Sequence, residues 1–251
     1  MIQSVSQTHR SSAKDMGNPL YWVRANRIAD DFPDTTEALT EPDGLLAAGG
    51  DLTPERLITA YRNGIFPWFS DEQPILWWAP NPRSVMLPEA LKVSRSLRRT
   101  LKRNLFDVTI DRAFERVVRG CAAPRRDHAG TWITDTMIAA YENLHRHGYA
   151  HSVECWATDE LVGGLYGVAI GQVFFGESMF SERTDASKVA MVTLVTRLLE
   201  WGYKLIDCQV HNAHLASLGA ATIQRNEFNA LLLNFCACKP HVNAWTSVTA
   251  S

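Results

Sequence analysis

Apolar positions recur at two spacings along the chain, three to four residues apart in some stretches and every second residue in others. The wider spacing predicts a helix beginning near Asp111, with Phe114, Val117, Val118 and Cys121 on one face. It predicts another beginning near Thr134, with Met137, Ile138, Tyr141 and Leu144, and Gly120 and Gly148 are the expected stops. A short strand, FDVTI, precedes the first of these helices. The second half reads as strand HSVECWA, turn TDE, strand LVGGLYGVAI, a glycine turn, strand QVFFGESMF, helix ASKVAMVTLVTRLLEWG, strand KLIDCQV and a last helix near residues 226–237. An antiparallel meander that feeds a helix, followed by a strand that rejoins the sheet, is an α+β arrangement rather than a repeating βαβ one.

Upstream, EPDGLLAAGGDLTPERLITAYRNG predicts a glycine-rich turn and a short helix, with Thr53 as N-cap, Pro54 in the first turn and Gly64 past the end. That helix runs into GIFPWFSDEQPILWWAPNPR, where Phe66, Trp68, Phe69, Trp77 and Trp78 stand among four prolines. Proline fixes φ and removes a backbone donor, so the stretch suits the shaped wall of a pocket better than regular packing. The domain boundary is expected near Pro82. Residues 1–17, polar and serine-rich, read as a disordered or artificially appended tail.

With 251 residues, 46% of them hydrophobic, the chain can bury a substantial core. No apolar run approaches the roughly 18–20 residues of a bilayer span, and no secretory signal is visible, so a cytoplasmic protein is expected. Five scattered cysteines, without a C-x-x-C pair or zinc spacing, point to a reducing compartment and no structural metal. The net charge of -2 conceals one basic block. In KVSRSLRRTLKR, residues 92–103, Val93, Leu97 and Leu101 share one helical side while Arg95, Arg98, Arg99 and Lys102 share the other. Such a face is either a solvated surface or a polyanion site.

Three places carry candidate chemistry. On the strand LIDCQV, Asp207 and Gln209 are expected to project together, with Cys208 a packed thiol on the opposite face. The pair reads equally as a buried structural pair or as a site that takes a hydrogen bond or proton from a nucleophile. Glu177, set among Phe174, Phe175, Met179 and Phe180, needs a partner, which is either a substrate cation or an arginine such as Arg183. His211 and His214 have no third ligand nearby and read as ordinary hydrogen-bonding residues. A P-loop and a G-x-G-x-x-G fingerprint are both missing, which argues against an ATP or NAD enzyme.

The order of elements is shared by acetyltransferase-like (GNAT) acyltransferases, although order alone does not fix function. More specifically, GDLTPERLITAYRNGIFPWF, ILWWAPNPR, GTWIT, ELVGGLYGV, FGESMFS, ASK and LIDCQV followed by ASLGA resemble the leucyl/phenylalanyl-tRNA-protein transferases, from about Glu41 to Leu231. The resemblance implies a small N-terminal domain (18–83) and a GNAT-like C-terminal domain (84–251) with a mixed, largely antiparallel sheet. It implies transfer of Leu or Phe, less readily Met, from aminoacyl-tRNA to proteins with N-terminal Lys or Arg, in the bacterial N-degron pathway. No cofactor, metal or membrane is expected, and a monomer suffices.

By the same resemblance Arg95, Arg98, Arg99, Lys102 and Arg103 contact tRNA phosphates, which position RNA without reading its sequence. Trp68, with Phe66 and Tyr61, receives the terminal adenosine, while Trp132, Tyr141, Phe174, Gly176, Met179 and Ile206 help complete the site. Met191, Leu194 and Leu198 fall at pocket positions that are aromatic in certain relatives, and Leu165 falls where Met can occur, so the preference among Leu, Phe and Met stays open. Asp207, Gln209 and Glu177 are the candidate catalytic residues. Two other readings remain beside this one. A CoA-dependent N-acetyltransferase would need a pyrophosphate loop that is not found, and a noncatalytic tRNA-binding module would use the aromatic loop and basic helix alone.

Overall fold

The computed structural model describes residues 20–25, 32–123, 133–241 and 243–246; residues 1–17 and Trp132 therefore lie outside the described residues. Near the N-terminus, β1 (Tyr21–Val23), β2 (Leu45–Gly49), β3 (Phe66–Pro67) and β4 (Leu76–Trp78) form a sheet in the order β1-β2-β4-β3, with α1 (Pro54–Arg62) between its second and third strands. A second sheet of seven strands follows. It comprises β5 (Arg83–Met86), β6 (Asp107–Ile110), β7 (Ala150–Ala157), β8 (Glu160–Ile170), β9 (Val173–Ser181), β10 (Leu205–Gln209) and β11 (Ala221–Ile223), ordered β11-β5-β10-β9-β8-β7-β6. The helices are α2 (Arg95–Lys102), α3 (Phe114–Ala122), α4 (Asp135–Arg146), α5 (Ala186–Glu200), α6 (Ala213–Ser217) and α7 (Arg225–Phe235).

Strands β6 to β9 form an antiparallel meander, and α5 then returns the chain so that β10 lies parallel to β9. This is the acetyltransferase-like arrangement that the α+β reading predicts. Period-two alternation assigns the two faces. Tyr166, Val168, Val173, Phe175 and Leu205 point to one side with α3, α4, Leu57, Tyr61, Phe66 and Trp77. Val153, Cys155, Leu165, Phe174 and Ile206 point to the other with Leu97 of α2 and the Val189, Met191, Leu194 and Leu198 stripe of α5. One core therefore joins the small sheet to the large one, and a second fills the α5 side.

Three local readings change. Gly120 does not stop α3, which continues to Ala122; a Cβ at Gly120 would lie 2.8 Å from the Phe180 ring, so the glycine admits close packing. Strands β1 to β5 and β11 and helix α6 have no counterpart among the predicted elements: Leu45–Gly49, read within a glycine-rich turn, is strand β2, and β5 and β11 form through antiparallel pairing of β5 with β10 and β11. Thr53 precedes α1 but makes no capping hydrogen bond through its side chain, and its hydroxyl donates to Asp51 instead. The basic helix forms as predicted: Ser94 caps it, Leu97 is buried, and Arg95, Arg98, Arg99, Lys102 and Arg103 are exposed.

Candidate active site

The proline-rich aromatic segment divides its rings between two tasks. Trp77 is fully buried, its indole N–H donating to the Gly49 carbonyl at 2.9 Å, and Phe69 is also buried. These two belong to the core rather than to a pocket wall, which corrects that part of the sequence reading. Phe66, Pro67 and Trp68 do line a cleft, of about 1200 Å³. Trp78 props Trp68, with ring centroids 5.6 Å apart and its N–H on the Trp68 carbonyl at 2.7 Å. Trp68 is 43% exposed, so a ring face remains open for stacking.

The cleft opens where the large sheet splits. Parallel pairing of β9 with β10 runs from Val173 to Phe175 and ends there, while β9 continues to Ser181 against β8. A bulge between Asp207 and Gln209 and a left-handed φ of 59° at Gln209 turn β10 away. That conformation costs a non-glycine residue about 1–2 kcal/mol. It is held by Asp207, whose Oδ1 accepts the Gln209 backbone N–H at 2.9 Å. Below the split are two chambers: on the α5 side Leu165, Phe174, Met179, Met191, Leu194 and Ile206 form an apolar wall, and on the other side stand Glu177 and Tyr166.

Glu177 is the hub of the polar chamber. Its Oε1 accepts from the Tyr61 hydroxyl at 2.8 Å and from Gln209 Nε2 at 2.9 Å, and its Oε2 accepts from the Tyr141 hydroxyl at 2.5 Å. The tyrosine hydroxyls also lie 2.8 Å from each other. Burial pushes the carboxyl up to about 7 against the pull of both hydroxyls, with the negative charge of Asp207 adding to the rise. Tyr61 and Tyr141 are held well above the ordinary phenol range by burial and then by Glu177, so they remain donors. Arg183, the alternative partner for Glu177, instead meets Glu160 at the surface, 3.5 Å away.

Asp207 is fully buried, and both of its oxygens are occupied. Arg83 reaches it through Nε at 2.8 Å and Nη2 at 2.6 Å while donating to the Gly64 carbonyl through Nη1 at 3.0 Å. The guanidinium lies 4.8 Å from the centre of the Phe66 ring and 4.7 Å from that of Phe228. Asp207 thus carries the bulge and the aromatic wall, and it touches Gln209 through the backbone rather than through the amide. Gln209, which lines the cleft, turns its Nε2 to Glu177.

Of the predicted binding residues, Phe66, Trp68, Leu165, Phe174, Gly176, Met179, Met191, Leu194 and Ile206 line this cleft with Glu177, Asp207 and Gln209. Tyr61 and Tyr141 stand behind it as supports of Glu177, and Leu198 is buried further along α5 away from the lining. The basic helix α2 docks at the head of α5, where the Thr100 hydroxyl donates to Asp185 at 3.0 Å two residues before the cleft-lining Ser187. His211 and His214 also line the cleft, and burial lowers His214 before the nearby Lys188 does. Arg83 and Tyr166 are site residues that the sequence patterns do not reveal. The one local signal for Arg83 is an arginine directly after PNP at the head of the short strand RSVM.

Among the described residues, Asp111, His145 and His151 bring possible metal-ligand atoms within 4.8 Å of one another. Each imidazole Nδ1 already has an oxygen partner, Ala150 for His145 at 2.7 Å and Asp111 for His151 at 2.6 Å. The group therefore reads as a hydrogen-bonded cluster.

The large sheet, of acetyltransferase-like order, is split over an apolar wall and a carboxylate–amide pair, parts that acyl transfer can use. Residues 50–81 match the family model described as leucyl/phenylalanyl-tRNA protein transferase N-terminal domain, and residues 85–233 match that of leucyl/phenylalanyl-tRNA protein transferase. The protein named leucyl/phenylalanyl-tRNA–protein transferase in Nitrosomonas europaea is 58% identical over 85% of this chain and 91% of its own. Its namesake in Nitrosospira multiformis is 60% identical over 84% and 90%. The chain belongs to the leucyl/phenylalanyl-tRNA protein transferase family and is an aminoacyltransferase, which sets aside the CoA-dependent and noncatalytic readings. Among solved structures, a conserved protein of unknown function from Bacteroides thetaiotaomicron covers 57% of this chain and 60% of its own at 12% identity and a TM-score of 0.41, so the fold class rests on the strand order itself.

Proposed function

We propose that the protein moves Leu or Phe, and less readily Met, from tRNA to the α-amine of proteins that begin with Lys or Arg, marking them for N-degron-dependent degradation. It does so as a cytoplasmic monomer. The observation that carries this reading is a single cleft holding an exposed indole, an apolar chamber and a polar chamber built on Glu177 and Gln209. Trp68 and Phe66 stack the 3′ adenosine, the apolar chamber takes the aminoacyl side chain, and Glu177 takes the acceptor's cation. Residues unbranched at Cβ enter where Val or Ile would crowd the neck, a discrimination worth about 1–3 kcal/mol.

In the reaction the neutral α-amine attacks the aminoacyl carbonyl carbon, forming the peptide C–N bond. The ester C–O bond breaks, and the ribose oxygen leaves with a proton while the amine loses one. An α-amine has an ordinary pKa of about 7.7–8.0, so positioning supplies more than base strength does. Gln209 Oε1 accepts the amine N–H; Asp207 and Arg83 hold the bulge that aims it. The test is transfer of labelled Leu from Leu-tRNA to an Arg-initiated peptide, with an Ala-initiated peptide as control. Label on the first alone is the expected result, and label on neither or on both equally refutes the reading.

The exposed cations of α2 hold the acceptor arm by its phosphates. Each neutralised phosphate contributes about 0.7–0.9 to the slope of log K against log salt. Replacing Arg98, Arg99 and Lys102 together by Ala should lower the slope for tRNA binding by about 2–3. Transfer from a minimal aminoacyl-adenosine donor should be unaffected, and an unchanged slope would remove α2 from the interface.

A further inference from the structure

Tyr166 is fully buried, yet among the described residues its hydroxyl has no hydrogen-bond partner. A buried hydroxyl is almost always satisfied, and leaving one unpaired is unfavourable enough that each case needs a cause. The ring is fixed by edge contacts with Phe114, centroids 5.9 Å apart, and Tyr141, 5.2 Å apart. The same residue lines the cleft, on the face of the sheet that carries Glu177. The whole hydroxyl network of this chamber, Tyr61 and Tyr141 on Glu177, closes without it. What remains is one polar oxygen in a residue that lines the same cleft as Glu177, without a partner among the described residues.

We propose that the Tyr166 hydroxyl is a specificity-determining contact that accepts an N–H from the cationic first side chain of the acceptor while Glu177 takes its charge. This rests on the acceptor reading given above. Burial and then the charge of Glu177 hold the phenol well above its ordinary range, so it stays a neutral hydroxyl rather than a second anion. Neutrality suits the site, because two carboxylates would repel when empty, whereas a carboxylate and a hydroxyl together offer a cation both charge and a further acceptor. A planar guanidinium, with five donors in a fixed fork, can engage both at once.

Tyr166→Phe tests this by removing one oxygen and keeping the ring. Steady-state transfer is measured with Arg-initiated, Lys-initiated and Ala-initiated peptides, together with a thermal melt. The expected result is a KM about tenfold or more higher for the Arg-initiated peptide, with kcat little changed and a Tm equal to or above wild type. A purely structural role would lower Tm and depress transfer to every peptide alike, and either that outcome or an unchanged KM overturns the proposal. The two levels separate cleanly: wild-type enzyme that fails to prefer Arg-initiated over Ala-initiated peptide refutes the acceptor reading, whereas preserved preference in both enzymes refutes only the role of Tyr166.

Discussion

Asp207→Ala is expected to lose transfer and to weaken the fold together. The Arg83 guanidinium would be left buried without its carboxylate, and breaking such a pair costs about 3–5 kcal/mol. For a chain of this size that corresponds to a fall in Tm of roughly 6–20 °C. The activity loss has a separate origin, since Gln209 would no longer be held in its left-handed turn by a carboxylate on its N–H. Arg83→Met combined with Asp207→Leu separates the two effects. Replacing a buried ion pair by apolar residues is often neutral for stability, so the double variant should recover much of the Tm while remaining inactive. Wild-type turnover in Asp207→Ala would remove this carboxylate from the mechanism.

The second large effect belongs to Glu177→Gln. Losing the anion from the polar chamber should reduce kcat/KM for Lys- and Arg-initiated acceptors on the order of 100-fold, with little effect on donor binding. The pH dependence carries a sign. Because the free carboxyl titrates near 7, raising pH through that value should lower the acceptor KM of the wild-type enzyme, and the Gln variant should show no such step.

Stability moves the other way. The folded chain keeps a proton that the unfolded chain releases above its ordinary value of 4.5, so stability falls between about 4.5 and 7 and the loss is complete above that. At about 1.4 kcal/mol per pH unit the ceiling is about 3 kcal/mol, reduced where the half-buried side chain meets water in the cleft. Melts of both proteins at pH 5 and pH 8 should show the slope in the wild type and a flatter response in the variant. Parallel behaviour would show that Glu177 does not titrate in this window.

Local pattern was enough for much of the architecture. Alternation along HSVECWA and LVGGLYGVAI and the 3.6-residue period of ASKVAMVTLVTRLLEWG specify which residues meet which face, because side-chain direction follows from backbone period alone. The same holds for α2, where one apolar edge and a run of cations made an anchored basic helix legible. Phe66 and Trp68, Glu177 and Gln209, and the Met191 and Leu194 stripe line one cleft.

Other features had no local signal. Trp77 and Trp68 stand in the same proline-studded run with similar neighbours, and only the presence of the Gly49 carbonyl behind one and open space before the other separates core from platform. Arg83 meets Asp207 across 124 positions, and Tyr61 meets Glu177 across 116, so no window of sequence contains either pair. The bulge at Gln209 depends on where β5 ends its register with β10. Sequence periodicity and composition therefore specified α1 to α5, α7 and β6 to β10, with the residue types available for chemistry, but not the strands of the small sheet, β5, β11 or α6. Tertiary pairing alone decided which carboxylate meets an internal arginine and which is held by neutral hydroxyl and amide donors, because desolvation and hydrogen-bond satisfaction are properties of what surrounds a group in space rather than along the chain.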